Sequence, residues 1–344
     1  MISTRGRRLI PQFINHKSQI MMKVAVVGCG AVGSFYGAKL CRAGHDVHFL
    51  LRSDYDAVRR NGVFIHSPQG DFKVRSKCAT TPEEIGGSDL VIVALKTTAN
   101  DQFANLLPPL VSRGTALLTL QNGLGNEEDL AKLFPVEQIL GGLCFVCLNR
   151  TAPGVIHHLD YGMIVLGEFH RWPEPRTHDI ATAFRNAGVK CKVSDNLQQA
   201  HWEKLVWNIP FNGLGVAGAA GYEPFENPDA KIKIQTRENA CLTTDRLLSD
   251  PRWENLVREL MLEVIRSAIA RGFSVPESLA EKQIERTRTM GAYKASTLLD
   301  FELGRPLELQ SLFLEPLRQA REHRVPTPRL ATLCEVLRRL DGLR

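Results

Sequence analysis

The apolar residues of this chain follow one spacing in its first half and another in its second. Short continuous apolar runs, such as residues 24–27, predict strands that are buried on both faces of a parallel sheet. From Asn196 onward such runs stop, and apolar residues recur every three or four positions, as they do across residues 255–272. We therefore predict an α/β domain over residues 22–195 and an all-helical domain over residues 196–344.

The same patterns place the individual elements. Apolar runs predict further strands at residues 46–51, 63–66, 71–77, 90–95, 116–120, 139–148, 154–159, 163–166 and 189–193. Helical spacing predicts helices between Gly33 and Gly44 and at residues 55–61, 101–110, 179–187, 201–212, 255–272 and 328–340. Turn residues at positions 67–70 and 151–154 predict antiparallel strands on either side of each turn.

Three glycines follow the first predicted strand in the spacing G-x-G-x-x-G. Glycine permits the tight turn at the first position, the approach of a pyrophosphate at the second, and close helix packing at the third. The helix that follows would offer free N–H groups and its positive dipole end to the phosphates. Because the motif lies between a strand and a helix, it predicts a Rossmann dinucleotide-binding domain. The predicted cofactor-binding loop is Gly28, Cys29, Gly30, Ala31, Val32 and Gly33.

The residue at the end of the second predicted strand indicates which dinucleotide binds. An NAD site would place an acid there for the ribose hydroxyls, whereas this strand ends in Arg52. An arginine suits the 2′-phosphate of NADP through charge-assisted hydrogen bonds. We therefore favour NADPH. Asp54, two residues later, keeps an NAD site open, and Arg52 could also be a solvated loop charge.

Two more strand ends carry polar side chains. Lys96 follows the strand at residues 90–95, and Asn122 follows the strand at residues 116–120. Ligands of open α/β sheets bind beyond the carboxyl ends of the strands, so these residues could meet the glycine loop at one cleft. Taken singly, Lys96 could be a solvated lysine and Asn122 part of an ordinary turn.

One predicted helix of the second half has an unusual polar face. Lys204, Asn208 and Asn212 are spaced by four residues and would share one side of the helix, although Pro210 lies between two of them. A solvated polar stripe is the plain alternative. Asparagine is a poor helix former, which favours a functional reason for the pair. Farther on, Glu308 stands between two leucines and could cap a helix start or accept a hydrogen bond from a substrate hydroxyl.

Composition narrows the class of protein. The 344 residues are 44% hydrophobic and 23% charged, and no apolar run is long enough to cross a bilayer. The net charge is +6, of which four charges lie in the first 21 residues, and the +2 that remains does not indicate a nucleic-acid binder. We interpret residues 1–21 as a disordered tail or an early start preceding Met22. A transit peptide is the alternative.

The eight cysteines are scattered and mostly apolar in setting, which predicts reduced thiols in a cytoplasmic protein. Cys144 and Cys147 form a C-x-x-C spacing within an apolar run, and we predict buried thiols there and no metal site. The helices of the second half could pair between subunits as a homodimer or form intramolecular core.

The chain resembles the ketopantoate reductase (2-dehydropantoate 2-reductase) family from Met22 almost to its C-terminus. The residues that carry the resemblance are, in order, the loop 28–33, Leu51-Arg52, Leu95-Lys96, residues 121–125, Trp202-Glu-Lys204, Asn208, Asn212, Ser296, Asp300 and Glu308. Their order and spacing together are specific, even though each piece alone is not.

The resemblance implies NADPH-dependent reduction of a small anionic 2-keto acid. It implies that Lys204 is the general acid, with Glu308 beside it in the catalytic centre. Asn208, Asn212 and Ser296 would hold the substrate together with Glu308. Asn122 would lie at the junction of nicotinamide and substrate and bind both, with Lys96 nearby in the cofactor site, and Arg52 would bind the 2′-phosphate.

One segment departs from the family pattern. After the acid the family commonly has Glu-Ile-Asp-x-x-Asn-Gly, whereas this chain has Gln310 in place of the Asp and Phe313-Leu314 in place of Asn-Gly. This difference brings ketopantoate as the substrate into question and leaves a different keto acid or secondary alcohol as an alternative. A non-catalytic NADPH-binding regulator is a third hypothesis.

Overall fold

Ten strands form one mixed sheet in the part of the chain that the computed structural model describes, residues 21–227 and 241–343. The strands are β1 Lys23–Val27, β2 Asp46–Leu50, β3 Val63–His66, β4 Phe72–Val74, β5 Lys77–Ala79, β6 Leu90–Val93, β7 Ala116–Thr119, β8 Ile139–Ala152, β9 Val155–Glu168 and β10 Cys191–Val193. Their order is β4-β3-β9-β8-β7-β6-β1-β2-β5, with β10 beside β9. The pairs β3–β4 and β8–β9 are antiparallel, and the other pairs are parallel.

Helices accompany the sheet and then replace it. Those of the first half are α1 Ala31–Arg42, α2 Tyr55–Asn61, α3 Pro82–Ile85, α4 Phe103–Leu106, α5 Asn126–Ala131 and α6 Pro175–Asn186. Those that follow β10 are α7 Leu197–Ala217, α8 Glu223–Glu226, α9 Thr244–Ser249, α10 Pro251–Ala270, α11 Ser278–Arg288, α12 Ser296–Glu302, α13 Glu315–Glu322 and α14 Pro328–Gly342. A π-helical turn, Gln310–Leu314, runs directly into α13. The predicted fold class, a Rossmann domain followed by a helical domain, is confirmed.

The hairpin predicted around residues 67–70 forms, but its second strand is shorter than expected. The predicted strand 71–77 is split, because β4 pairs with β3 whereas β5 pairs with β2. Only Arg75 and Ser76 separate these two strands, which lie at opposite ends of the strand order. The Cα atoms of Val74 and Lys77 are therefore no more than about 11 Å apart, so the sheet curves until its ends come close.

The strands predicted at residues 154–159 and 163–166 are one strand, β9. Tyr161 and Gly162 have positive φ angles of 62° and 112° at a register shift opposite β8. This bulge absorbs the extra residue, and pairing with β8 continues beyond it. The helix predicted at residues 101–110 was wrong, since a 3-10 turn, the short α4 and a second 3-10 turn, Pro108–Leu110, replace it.

The helices α6 and α10 both begin earlier than their apolar spacing suggested. The helix α6 starts at Pro175 behind a capping box of Glu174 and Thr177, so Asp179, the first residue of the predicted helix, lies inside it. The helix α10 starts at Pro251, where the Asp250 side chain accepts a hydrogen bond from the backbone N–H of Arg252. In both cases polar residues before the apolar stripe determine the first turn.

The helix α7 is the centre of the second half. It runs for 21 residues and continues through Pro210, which lacks an N–H for the helical ladder. Its neighbours Ile209 and Phe211 are buried in a core shared with α10 and α14, and this packing holds the helix on both sides of the proline. A helix therefore forms at residues 201–212 as predicted, and α7 extends beyond both predicted ends.

The sheet and the helices are joined by buried polar contacts. His201 on α7 lies 2.9 Å from Glu127 on α5, and both side chains are buried. The backbone N–H of Leu124 donates to the carbonyl of Ser311 at 2.9 Å. These contacts fix the start of α7 and the π-helical turn against the loop that follows β7.

Within residues 21–227 and 241–343, none of the helices combines the length and apolar composition that crossing a bilayer requires.

The predicted tail at residues 1–21 lies, apart from Met21, outside the described residues and stays a prediction. The division into domains at residue 195 likewise stays a prediction.

Candidate active site

The glycine loop forms the turn between β1 and α1. Gly28 has a φ of 97°, and a Cβ there would lie 2.3 Å from the backbone of Ala94. A Cβ on Gly33 would lie 2.2 Å from the carbonyl oxygen of Gly28. A Cβ on Gly30 would meet nothing within 4 Å, so this side of the loop is open. Two glycines therefore serve packing, and the third leaves room for a phosphate at the N-terminus of α1.

A cleft of about 1010 Å³ begins at this loop and extends between the sheet and the helical domain. The strands β1, β6 and β7 are neighbours in the sheet and end at its edge, so Gly28, Lys96 and Asn122 all line the cleft. Of the residues named from the sequence, the cleft also contains Cys29, Gly30, Ala31, Val32, Arg52, Lys204, Asn208, Asn212, Ser296 and Glu308. Its volume is large enough for a dinucleotide with a small substrate beside it.

Lys204 lines the cleft from α7, on the side of the helical domain. Its Nζ donates a hydrogen bond to Asn122 Oδ1 at 2.8 Å and lies 5.5 Å from the centre of the Phe145 ring. Burial lowers the pKa of Lys204 below its usual 10.5, although Cys144 and Glu308 offset part of this effect. A lysine with a lowered pKa is a better proton donor at neutral pH than a solvated one.

The two asparagines lie one and two turns beyond Lys204 on α7, and both are buried. Asn212 Oδ1 accepts hydrogen bonds from the backbone N–H of Thr297 at 3.1 Å and from Ser296 Oγ at 3.3 Å. This contact connects α7 to the first turn of α12. The polar face is therefore part of the cleft and is not a solvated stripe.

Lys96 connects the sheet to two buried carboxylates of the helical domain. Its Nζ lies 2.7 Å from Asp300 Oδ2 and 3.0 Å from Glu308 Oε2. The other oxygen of Glu308 accepts from the backbone N–H of Thr97 at 2.9 Å. Burial lowers the pKa of Lys96, but its attraction to the two carboxylates outweighs burial and raises the pKa overall. The lysine is thus held as a cation.

Arg52 lines the cleft two residues after the end of β2, and its side chain is exposed. Asp54, which kept an NAD site open, is buried there and forms a bidentate ion pair with Arg150 on β8. Sequence reasoning did not identify Arg150, nor Phe145, which comes from the same strand. It also missed Trp207, Tyr293 and the cleft-lining residues of α11. Arg150 and Phe145 line the cleft only because of the path that the long strand β8 takes.

Two family models match this chain. The model described as Ketopantoate reductase PanE/ApbA covers residues 24–171, and the one described as Ketopantoate reductase PanE/ApbA C terminal covers residues 240–341. A 2-dehydropantoate 2-reductase of Nostoc sp. is 39% identical over 326 residues, which are 93% of this chain and 95% of the relative. The chain belongs to the ketopantoate reductase family. It is an oxidoreductase of the 2-dehydropantoate 2-reductase type, which sets aside the non-catalytic regulator.

Solved structures agree with this assignment. A 2-dehydropantoate 2-reductase of Geobacter metallireducens GS-15 is 44% identical with a TM-score of 0.83, covering 92% of this chain and 99% of that chain. A ternary D-mandelate dehydrogenase structure with NADH and anilino(oxo)acetate has a TM-score of 0.78 and covers 94% of this chain and 99% of that chain. At 18% identity the latter likeness shows the shared fold alone.

The segment that departs from the family pattern does not line the cleft. Phe313 is fully buried, and a Cβ on Gly213 of α7 would lie 2.9 Å from its ring. The carbonyl of Phe313 accepts a hydrogen bond from the Cys334 thiol of α14. Residues 311–313 are therefore buried behind α7, whereas Gln310 is exposed, and residues 310–314 do not line the cleft. Ketopantoate as the substrate stays a prediction.

The eight cysteines, all within the described residues, are thiols and not disulfides. Burial raises the pKa of Cys144 to about 11, with Lys204 opposing this shift, and burial also raises the pKa of Cys147. Both thiols are neutral at physiological pH, and a neutral thiol is a poor nucleophile and a poor metal ligand. This agrees with buried, inert thiols in the C-x-x-C segment.

Proposed function

We propose that this protein reduces 2-dehydropantoate to pantoate with NADPH and that Lys204 is the general acid. The observation that carries the proposal is the hydrogen bond from Lys204 to Asn122, which joins a proton donor of the helical domain to the end of a dinucleotide cleft. The names of the relatives support the substrate, and Arg52 supports NADPH over NADH.

The cofactor would bind along the cleft from Arg52 to Asn122. The open side of Gly30 and the N-terminus of α1 suit the pyrophosphate, and the guanidinium of Arg52 suits the 2′-phosphate. When bound, NADPH supplies the hydride for the carbonyl carbon of the substrate.

The keto acid would bind beside Lys204 among Asn208, Asn212, Ser296 and Glu308. The amides and the serine hydroxyl can donate to the oxygens of an anionic substrate, whereas Glu308 can accept from its hydroxyl group. Asn208, Asn212 and Glu308 are buried, so their hydrogen bonds to a substrate would form with little competition from water.

Lys204 would act on the oxygen of the keto group. As hydride reaches the carbon, negative charge develops on that oxygen, and the ammonium stabilises the charge and transfers a proton to it. Asn122 keeps the ammonium at the junction of cofactor and substrate through its hydrogen bond. The product is a 2-hydroxy acid, and the neutral amine regains a proton from solvent.

The proposed role of Lys204 predicts opposite pH profiles for the two reaction directions. Reduction needs the protonated amine, so its kcat/KM should fall as pH rises through a pKa below 10.5, because burial lowers the pKa of Lys204. Oxidation of pantoate needs the neutral amine and should rise through the same pKa. Initial rates in both directions across neutral to alkaline pH measure this. A reduction rate that rises with pH would contradict the role.

Replacing Arg52 with glutamine should lower kcat/KM for NADPH by about tenfold, because a charge-assisted hydrogen bond to the 2′-phosphate is lost. The value for NADH should stay within about twofold of wild type, since NADH has no such phosphate. Steady-state kinetics with both cofactors test the prediction. Equal losses for NADPH and NADH would show that Arg52 does not bind the 2′-phosphate.

The function itself is tested by following NADPH absorbance with 2-dehydropantoate as the substrate and NADH alongside. Fast turnover with NADPH supports the proposal. Binding of NADPH without turnover would refute 2-dehydropantoate as the substrate and leave other 2-keto acids to be assayed.

The homodimer and the cytoplasmic location stay predictions. Sedimentation of the purified protein would test the homodimer.

A further inference from the structure

The end of the cleft that contains Arg52 also contains a carboxylate. Arg52 and Asp54 both line the cleft, and their Cα atoms lie no more than about 7 Å apart because one residue separates them. A free carboxylate after the second strand would accept hydrogen bonds from ribose hydroxyls and repel a 2′-phosphate. Unless it is neutralised, Asp54 would therefore oppose the binding of NADPH.

The structure shows that Asp54 is neutralised by a residue distant in sequence. Arg150 donates from Nε to Asp54 Oδ2 at 3.0 Å and from Nη2 to Oδ1 at 2.5 Å. Ser53 Oγ donates to Oδ1 at 3.0 Å. Asp54 is 6% exposed, and although it precedes α2, its side chain makes no capping hydrogen bond. Both carboxylate oxygens are thus occupied by the arginine and the serine.

Arg150 reaches this position from the outer part of β8. Its guanidinium lies on the wall of the cleft opposite the end of β2, and the side chain is about one-third exposed. The bidentate geometry holds the carboxylate in one orientation and cancels its charge. Arg52, outside this ion pair, keeps its own positive charge toward the cleft.

We propose that Arg150 determines the cofactor preference through Asp54. As a positioning residue, it keeps Asp54 from repelling the 2′-phosphate and from accepting hydrogen bonds from the ribose hydroxyls. This inference rests on the proposed use of NADPH. Arg52 would contact the 2′-phosphate directly, whereas Arg150 contacts the Asp54 carboxylate and not the phosphate.

The test compares the ratio of kcat/KM for NADPH to that for NADH in the full-length protein and its variants. Arg150→Met leaves Asp54 without its partner, and the ratio should fall by about tenfold. The double variant Arg150→Met with Asp54→Asn removes the freed charge, and its ratio should return to within about threefold of wild type. Arg60→Met, an exposed arginine on α2, is the matched control and should not change the ratio.

Each outcome separates this inference from the proposed function. A wild-type preference for NADH overturns the use of NADPH and this inference with it. A wild-type preference for NADPH with an unchanged ratio in Arg150→Met, or a ratio that Asp54→Asn does not restore, overturns only the role of Arg150. A general loss of stability would lower both kcat/KM values together and would not move their ratio.

A single variant covers the case in which Arg150→Met does not fold. Asp54→Asn alone keeps the arginine and an amide of the same size, and it releases Arg150 from its ion pair. The released guanidinium adds positive charge at this end of the cleft, so the ratio should rise by about threefold. An unchanged or lower ratio in this variant overturns the proposal.

Discussion

Replacing Lys204 with alanine should lower kcat for reduction of the keto acid by about a thousandfold, because both the proton donor and the cation beside the developing oxyanion are lost. The affinity for NADPH should stay nearly unchanged, since Lys204 contacts Asn122 and not the glycine loop or Arg52. Steady-state rates and a fluorescence titration with NADPH measure the two quantities separately.

Two further variants distinguish acid catalysis from a structural effect of Lys204→Ala. Lys204→Arg keeps a cation but cannot transfer its proton readily, because the pKa of arginine is far higher. We expect this variant to recover little of the lost kcat. Lys192→Ala removes an exposed lysine from β10 and should leave kcat unchanged. A Lys204→Ala enzyme with near wild-type turnover would refute the proposed mechanism.

Replacing Lys96 with methionine should have the largest effect on stability. It leaves Asp300 and Glu308, whose side chains are only 6% and 7% exposed, without the cation that lies within 3.0 Å of both. Breaking a buried ion pair costs about 3–5 kcal/mol, and because half of the Lys96 side chain is exposed to solvent, we expect about 2 kcal/mol. The shift of the urea unfolding midpoint measures this loss.

The loss should depend on pH in a definite direction. Attraction to the two carboxylates raises the pKa of Lys96 in the folded protein above its usual 10.5. The ion pair therefore stabilises the folded wild type fully below that value, and this stabilisation is lost as pH rises through the raised pKa. The deficit of Lys96→Met should be full at neutral pH and smaller at strongly alkaline pH. A deficit independent of pH would contradict this explanation.

Lys132→Met is the matched control for this experiment. Lys132 pairs with Asp129 on the surface, where the two side chains are 73% and 36% exposed. Exposed ion pairs contribute little, so the unfolding midpoint should correspond to a change below about 0.5 kcal/mol. A loss equal to that of Lys96→Met would mean that burial of the carboxylates is not the cause.

Features that depend on near neighbours in the chain follow from the amino-acid sequence alone. The turn at Gly28 and the packing at Gly33 need only a strand, a glycine loop and a helix in succession. The helical spacing of Lys204, Asn208 and Asn212 likewise lies within one element. Predictions failed where a local pattern is compatible with two structures. Tyr161 and Gly162 fit either a turn that ends a strand or a bulge within one, and here a bulge forms and the strand β9 continues.

The sequence by itself therefore determined the fold class, the turn of the glycine loop and the polar face of α7. The tertiary structure decided what those residues touch. Lys96 meets its carboxylates across 204 and 212 positions of sequence, and Asp54 meets Arg150 across 96. Only the tertiary structure showed that Phe313 belongs to the core and not to the cleft. Such contacts depend on how the curved sheet and the helical domain pack, and no spacing within a single element encodes that packing.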